Sequence, residues 1–348
     1  DYIPIIDAIT ESARTGKVLY IPAGDYFISQ AIHLEDIPYT VIGNDYRYRI
    51  VIKGIDPRKC RFIFAESCTY GLYFQKGSHD YRGFTIDGIG IYTKAFTDTS
   101  MRPDFTGIYF ESAPDTIIKN IWVIGCSYGI YIKGGWNTIL ENINIQYSIG
   151  AITFDGYNET SDAVGLCDNI RCTNLYVGQY PKEYGLKLKG VVNGYISNLD
   201  AEGANTASVV LIESSSNITI ENFYIEWFLN VPVFKVSAIH TNNYLFIPKN
   251  IKITNGRIYR CDGYSFFLAN CVNSEISYVA QVTNCNDDNP YDIGAFMRLT
   301  QSSDDKVATR NTNNINLFGN VILNNEMVYM TGRYSSAFNF NGQKIYYD

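Results

Sequence analysis

No run of apolar residues in this 348-residue chain approaches the roughly 20 that a helix needs to cross a bilayer, so a helical membrane span is excluded. Basic residues are outnumbered: 28 Lys and Arg against 35 Asp and Glu leave a net charge of −7. No basic stripe supplies the electrostatic footprint of a nucleic-acid binder. Cysteine is present eight times (Cys60, Cys68, Cys126, Cys167, Cys172, Cys261, Cys271, Cys285), but no pair has Cys-x-x-Cys zinc or redox spacing. Cys167 and Cys172 share one loop and Cys126 ends a strand as a small apolar residue would, so the set reads as free buried thiols formed in a reducing compartment. The three histidines, His33, His79 and His240, are too dispersed for a metal trio, and neither metal nor cofactor is expected. No Pro/Ser linker or composition break divides the chain. No signal-peptide pattern opens it, and its abrupt start at Asp1-Tyr2 fits a piece of a longer protein as well as a whole one.

What the chain does have is a loose repeat of about 22 to 24 residues from near Thr106 almost to the C-terminus. A glycine opens a short apolar strand (Gly107-Ile108-Tyr109-Phe110-Glu111, Gly129-Ile130-Tyr131-Ile132-Lys133, Gly185-Leu186-Lys187-Leu188-Lys189). A polar corner follows, then Asn leads a second alternating strand at Asn120, Asn142, Asn174, Asn198 and Asn222. One unit cannot bury its own apolar face, so the units must stack as a solenoid of β-coils, which remains a single domain at this length. After Asp287 the repeat becomes irregular, and Gln301 to Thr312 is polar. Tyrosine occurs 29 times and aromatics make up 15% of the chain. With abundant Asn, this composition suits carbohydrate, although tyrosine also favours strands for its own sake.

Residues 4 to 14 place Ile5, Ile6, Ile9 and Ala13 on one helical face, with Pro4 near the start and Gly16 beyond the end. A helix there would cover the open edge of the first coil. Two strands follow around a Pro-Ala-Gly turn in Val18-Leu19-Tyr20-Ile21-Pro22-Ala23-Gly24-Asp25-Tyr26, and then a strand and a turn at Gly43. This entry resembles that of the pectate-lyase-like right-handed parallel β-helices, in particular bacteriophage tailspikes and polysaccharide depolymerases. The motif covers the first ~50 residues; beyond them the resemblance rests on coil periodicity. It implies an all-β, right-handed parallel β-helix with a short N-terminal capping helix: a cap over residues 1–56 and coils over 57–348. It further implies a bacterial surface polysaccharide as partner, a homotrimer, and a place on the virion tail after assembly in the bacterial cytoplasm, a secreted bacterial enzyme being the alternative. The departures matter too. Arg102-Pro103 sits in a loop instead of supplying the strand arginines of calcium pectate lyases, and the Asn-Thr-Asp, Gly-His-Gly and Arg-Ile-Lys elements of polygalacturonases are missing, which disfavours a plant-pectin enzyme.

Spacing locates the decorations. Asn120 to Asn142 is 22 residues and Asn174 to Asn198 to Asn222 is 24 each, whereas Asn142 to Asn174 is 32 and Asn222 to Asn255 is 33. The excess leaves the coil as loops near 155–168 and 231–249, which would wall a groove over the coils between them. Strand alternation points Leu199, Ala201, Phe223 and Ile225 inward and Asp200, Glu202, Tyr224 and Glu226 outward. Glu202 and Glu226 then fall on successive rungs, about 4.8 Å apart at the backbone. The outward positions of the first strand read Glu111, Lys133, Asp155, Lys189, Glu213: alternating signs, and an ordinary scaffold pattern. Stacked like charges are different, because one carboxyl should have a raised pKa, as acid/base chemistry needs.

Glycoside hydrolysis needs one protonated acid and one ionised carboxylate. Asp200, Glu202 and Glu226 are the candidate catalytic residues. Arg257 is a candidate clamp for an acidic sugar or a simple neutraliser of Glu226. Tyr224, Tyr176 and Trp227 are candidate sugar contacts, as is Trp136 more weakly, and His240 lies in a groove loop. A phage tailspike-type hydrolase of capsule or O-antigen is the leading expectation. The alternatives are a lyase of the same fold, with Lys187, Lys189 or Arg257 near a uronate, and a non-catalytic glycan-binding adhesin or fibre.

Overall fold

The computed structural model describes residues 1–37, 40–42, 45–75, 81–93, 101–157, 166–178, 181–204, 208–228, 232–240, 245–259, 265–269, 271–282, 297–300, 313–318, 328–331, 337–340 and 343–346. The chain opens with the helix Tyr2–Thr15, which buries Ile5, Ile9, Ser12 and Ala13 and ends at Gly16 in the left-handed conformation, φ 66°. Only glycine takes that conformation without penalty, so the helix stops where the sequence indicated. It packs on the strands Leu19–Ile21 and Asp45–Gly54, covering the open end of the coil stack. Asp1 ties the helix start to the second entry strand, its carboxylate accepting from the Phe27 N–H at 2.9 Å.

Beyond the helix the described chain is β-structure: 27 strands in one sheet whose neighbours are almost all parallel. Each strand pairs with its equivalent one turn of the solenoid later, as Ile117–Lys133 does with Ile139–Asp155 and Val191–Ala204 with Ser216–Phe228. This is a parallel β-helix. The entry strands already belong to the stack, since Leu19, Tyr20 and Ile21 pair with Ile52, Lys53 and Gly54, and Gly24–Ile28 pairs with Cys60–Phe64. At the far end the stack continues through Met297–Thr300, Asn313–Phe318, Val328–Thr331 and Ala337–Phe340, despite the loss of an obvious repeat in the sequence. Gln301 to Thr312 lies outside the described residues, as do His79, Gly43, Cys261 and Cys285. The other six cysteines are all buried and free. Burial pushes up the thiol pKa of Cys126, Cys167, Cys172 and Cys271, so each serves as a small apolar core residue. Arg102 is structural: buried, it donates to the carbonyls of Ala65, Glu66 and Cys68.

The interior is a column of Ile, Leu, Val and Phe that interlock from rung to rung, among them Ile121, Ile143, Leu175, Leu199 and Phe223, each 4% exposed or less. Truncating such a side chain to Ala costs about 2–5 kcal/mol. The corners explain the asparagines. Asn120, Asn142, Asn174, Asn198, Asn222 and Asn255 all have φ between 50° and 56°, a left-handed turn that Asn tolerates better than other side chains. Their amides also chain along the axis: Asn142 donates to Asn120 at 2.9 Å, Asn174 to Asn142 at 2.8 Å and Asn198 to Asn174 at 2.8 Å. A second corner does the same with Asn137, Asn169, Asn193, Asn217 and Asn250, partly through Asp115 and Asp168.

The first-strand face carries the expected charge ladder. Glu111, Lys133, Asp155, Lys189 and Glu213 are successive register partners. Lys133 reaches Glu111 at 3.1 Å, Lys189 reaches Asp155 at 3.5 Å, and Glu213 is taken by Lys187 at 3.0 Å. Beside it runs a stack of tyrosines. Tyr73, Tyr109 and Tyr131 lie on consecutive rungs with ring centroids 5.4 and 5.5 Å apart and nearly parallel planes. These rings cover one another's faces and turn their edges outward, so they support the scaffold and do not offer sugar platforms.

Candidate active site

The acid patch is built by two neighbouring strands, Val191–Ala204 and Ser216–Phe228. Because Leu199, Ala201, Phe223 and Ile225 are drawn into the core, alternation forces Asp200, Glu202, Tyr224 and Glu226 outward, where each is half-buried. Register places Tyr176, Asp200, Tyr224 and Arg257 on four successive rungs in one column, and Glu202, Glu226 and Tyr259 on three successive rungs in the next. No described lysine or arginine forms an ion pair with Asp200, Glu202 or Glu226, unlike the acids of the first-strand face.

The two columns are joined by tyrosine. The Tyr176 hydroxyl donates to Glu202 Oε2 at 2.8 Å, and the Tyr224 hydroxyl donates to Glu226 Oε2 at 2.7 Å. Each glutamate is therefore oriented by its own phenol. The pKa of Tyr224 is pushed up to about 12, first by its bond to Glu226, and that of Tyr176 is pushed up by burial and by its bond to Glu202. Both stay protonated donors at any working pH. Alternation gives these tyrosines an outward direction, but their hydroxyls are spent on carboxylates instead of being left for sugar.

The carboxyl with the raised pKa is Asp200. Burial is the main cause, followed by the charges of Glu202 and Glu226. One of its oxygens, Oδ1, is shielded from solvent and has no hydrogen-bond partner. A buried oxygen in that state is more comfortable carrying a proton than a charge. The raised group thus lies one position along the strand from the stacked glutamates where the sequence placed it.

An open depression of about 530 Å³ lies beside the patch, lined by the corner asparagines Asn198, Asn222 and Asn255 and by Asp200, Tyr224 and Arg257. On the core side of the same strands the Phe223 ring packs against Gly256 and fills the space a side chain there would need. Trp227 follows Glu226 on the corner, 47% exposed and with a left-handed φ of 64°. A bulky residue is seldom held in that conformation without a reason. The equivalent corner one rung earlier is Gly203, also left-handed, where an added Cβ would meet no atom within 4 Å. Trp136 is half-buried and pairs with Asp168, away from this column. The backbone of His240 forms a two-residue antiparallel pairing with Leu245, and its side chain lies outside the described residues, as does Tyr244. Among the described residues no cluster of three or more His, Cys, Asp or Glu could hold a metal.

The lysines that a lyase reading would need are engaged elsewhere. Lys187 pairs with Glu213 at 3.0 Å and Lys189 with Asp155 at 3.5 Å, on the first-strand face. What the patch does offer is one carboxyl biased toward its protonated form, two glutamates each held by a phenol, and an adjoining depression lined by amides, a phenol and a guanidinium.

No protein-family model matches this sequence, and no curated protein does. Solved structures of similar fold are found at low identity. DFA-IIIase from Arthrobacter chlorophenolicus A6 in complex with GF2 is 13% identical, with 97% of this chain and 87% of that chain covered and a TM-score of 0.61. Endo-xylogalacturonan hydrolase from Aspergillus tubingensis is 12% identical over 97% of this chain and 91% of that one, with a TM-score of 0.53. The enzymatically active domain of tailspike protein 2 from bacteriophage CBA120 is 14% identical over 92% of this chain but 44% of that one, at a TM-score of 0.48. These likenesses carry over neither residues nor a reaction; they show that the chain has the parallel β-helix fold of such enzymes.

Proposed function

We propose that this chain hydrolyses glycosidic bonds of a bacterial surface polysaccharide, capsule or O-antigen, as the depolymerase part of a phage tailspike that acts as a homotrimer. The observation that carries the hydrolase reading is the stacking of Glu202 on Glu226 beside a carboxyl with a raised pKa, with no described cation paired to any of the three. The first-strand face neutralises Glu111, Asp155 and Glu213 with lysines, whereas these three acids are adjacent and without a described cation, an arrangement suited to general acid and base chemistry. The hydrolase name among the structures of similar fold points the same way, as an analogy of fold. The tailspike, trimer and virion parts rest on the entry motif around Val18 to Tyr26.

In this reading Asp200 is the general acid that protonates the leaving oxygen, and Glu226, oriented by Tyr224, is the ionised base that activates water. Two residues along a strand and one rung across put their backbones roughly 8 Å apart, inside the range of about 6.5–9.5 Å for carboxyls of inverting enzymes. Glu202 keeps Asp200 protonated through its charge. Trp227 and the rim of the depression hold the sugar.

A panel of purified capsules and O-antigens tests the proposal through released reducing ends. Wild type shortens at least one polymer, and Asp200→Asn and Glu226→Gln, with unchanged circular dichroism, do not. Activity in both variants at the wild-type level removes the site. A protein that binds the polymer and leaves its length unchanged is the adhesin, and products with a new absorbance in the near ultraviolet belong to a lyase. The anomeric proton of the first product, followed by NMR, reports inversion; retention transfers the nucleophile role to the Glu202–Glu226 pair.

A further inference from the structure

We infer that the depression beside the acid patch is a subsite for a sugar bearing a carboxylate, which Arg257 holds. The inference rests on the glycan-binding part of the proposal above and extends it to the substrate's charge.

Several outward cations of this solenoid are matched to an acid on an adjacent rung. Lys119 meets Glu141 at 3.0 Å, Lys133 meets Glu111 at 3.1 Å, Lys187 meets Glu213 at 3.0 Å and Lys252 meets Glu275 at 3.2 Å. Arg257 is not among them. Its rung neighbours are Tyr224 on one side and Ala280 on the other, and it makes no ion pair with a described carboxylate. Asp200 is in the same column but two rungs away, roughly 10 Å at the backbone, too far for a direct pair. Glu226 is one rung away and two residues along, and no ion pair joins it to Arg257 either, so ion pairing with the acid patch does not account for this arginine.

Its setting is that of a ligand contact. Arg257 is exposed and lines the depression, at the end opposite Asp200. Its guanidinium carbon is 5.5 Å from the centroid of the Tyr259 ring, a contact that limits the freedom of a long side chain while leaving its donors available. A planar fork of N–H donors matches a carboxylate bidentately. The rest of the depression suits the ring of the same sugar. Amides from Asn198, Asn222 and Asn255 stand at one edge for hydroxyls, and the Tyr224 hydroxyl is already occupied by Glu226. Charge falls from positive at Arg257 to acidic at Asp200 across three rungs. That gradient orients the sugar, with its carboxylate at the arginine end and its linkage oxygen toward the acids.

Titration of the full chain with D-glucuronate, D-galacturonate and D-glucose, followed by saturation-transfer NMR, tests this without any bond being cut. A uronate is expected to bind at least tenfold more tightly than glucose. Arg257→Gln is expected to abolish that ratio and Arg257→Lys to keep part of it. Equal binding of uronate and glucose by wild type, or an unchanged ratio in Arg257→Gln, overturns the subsite. An Arg257→Gln variant whose only change is a shifted pH profile of hydrolysis also overturns it, because that marks a residue that merely tunes the acids. Hydrolysis that survives in Glu226→Gln while the uronate preference holds would remove the catalytic assignment and leave the subsite standing.

Discussion

Two faces of the same solenoid treat carboxylates in opposite ways. On the first-strand face, Glu111, Asp155 and Glu213 each lie within 3.5 Å of a lysine amine, and the tyrosines beside them stack on one another. On the second-strand face, Asp200, Glu202 and Glu226 have no such partner; tyrosines donate to carboxylates on both faces, but here the glutamates have the phenol without the lysine. Both faces are written in the same repeat with the same alternation. The difference sets a face where every acid of the column has a lysine within reach against one where three adjacent acids have none.

The comparison breaks first if carboxyl-to-amide changes on the two faces have equal effects. Glu226→Gln should lower the rate of reducing-end release by about 10²–10⁴-fold, the range for loss of an acid or base, whereas Glu213→Gln should leave it within about twofold of wild type by the same assay. A smaller effect separates orientation from scaffold. Tyr224→Phe removes the donor to Glu226 and should cost roughly tenfold in kcat, about 1.4 kcal/mol, with KM nearly unchanged. Tyr109→Phe, which removes the donor to Glu111 on the other face, should leave both constants alone.

Stability should move the other way at the site. The folded state holds the Asp200 pKa above its ordinary range, so the group contributes no penalty below its unfolded value of about 3.9 and an increasing one as pH rises through the folded value. Asp200→Asn should therefore melt above wild type at pH 7, and the two melting curves should converge below about pH 3.5, near and under the unfolded carboxylate value. A variant that melts lower at pH 7 would mean that Asp200 is held by favourable contacts and not by need of its proton. The smallest effect is expected on the paired face. Lys133→Glu stacks like charges against Glu111 and Asp155 and should cost up to about 1 kcal/mol in urea unfolding, relieved by salt, with hydrolysis unchanged.

The helix, the coil stack and the direction of nearly every outward residue were legible in the sequence, because alternation and a glycine stop are local signals. Residues 4–14 were read as helical and Tyr2–Thr15 is; Glu202 was placed on Glu226 and their strands pair in that register. What escaped was whatever depends on side-chain reach between rungs. The second asparagine corner at Asn137, Asn169, Asn193, Asn217 and Asn250 repeats at the same spacing as the first, and a search for left-handed Asn positions would have found it. The bonds from Tyr176 and Tyr224 run diagonally from one column to the next, which no alternation rule encodes. Asp200 carries the raised pKa because its oxygen is covered, and cover cannot be read from charge order along a strand. For Arg257 the sequence left two readings, a clamp for an acidic sugar and a neutraliser of Glu226, because its column was legible and its reach was not.

Stacking by nearest neighbours also fixes how this molecule comes apart. Each coil is held mainly by the two it touches, so opening begins at exposed ends and spreads inward one rung at a time. The strands from Cys167–Gly178 to Lys249–Tyr259 have described coils on both sides, the helix-capped stack before them and the strands from Val272 onward after them. Fraying from either direction must dismantle those coils before it loosens Asp200 from Glu226. Position along the axis therefore works as a kinetic shield, and under heat or protease the acid patch should be among the last parts of the chain to lose its geometry.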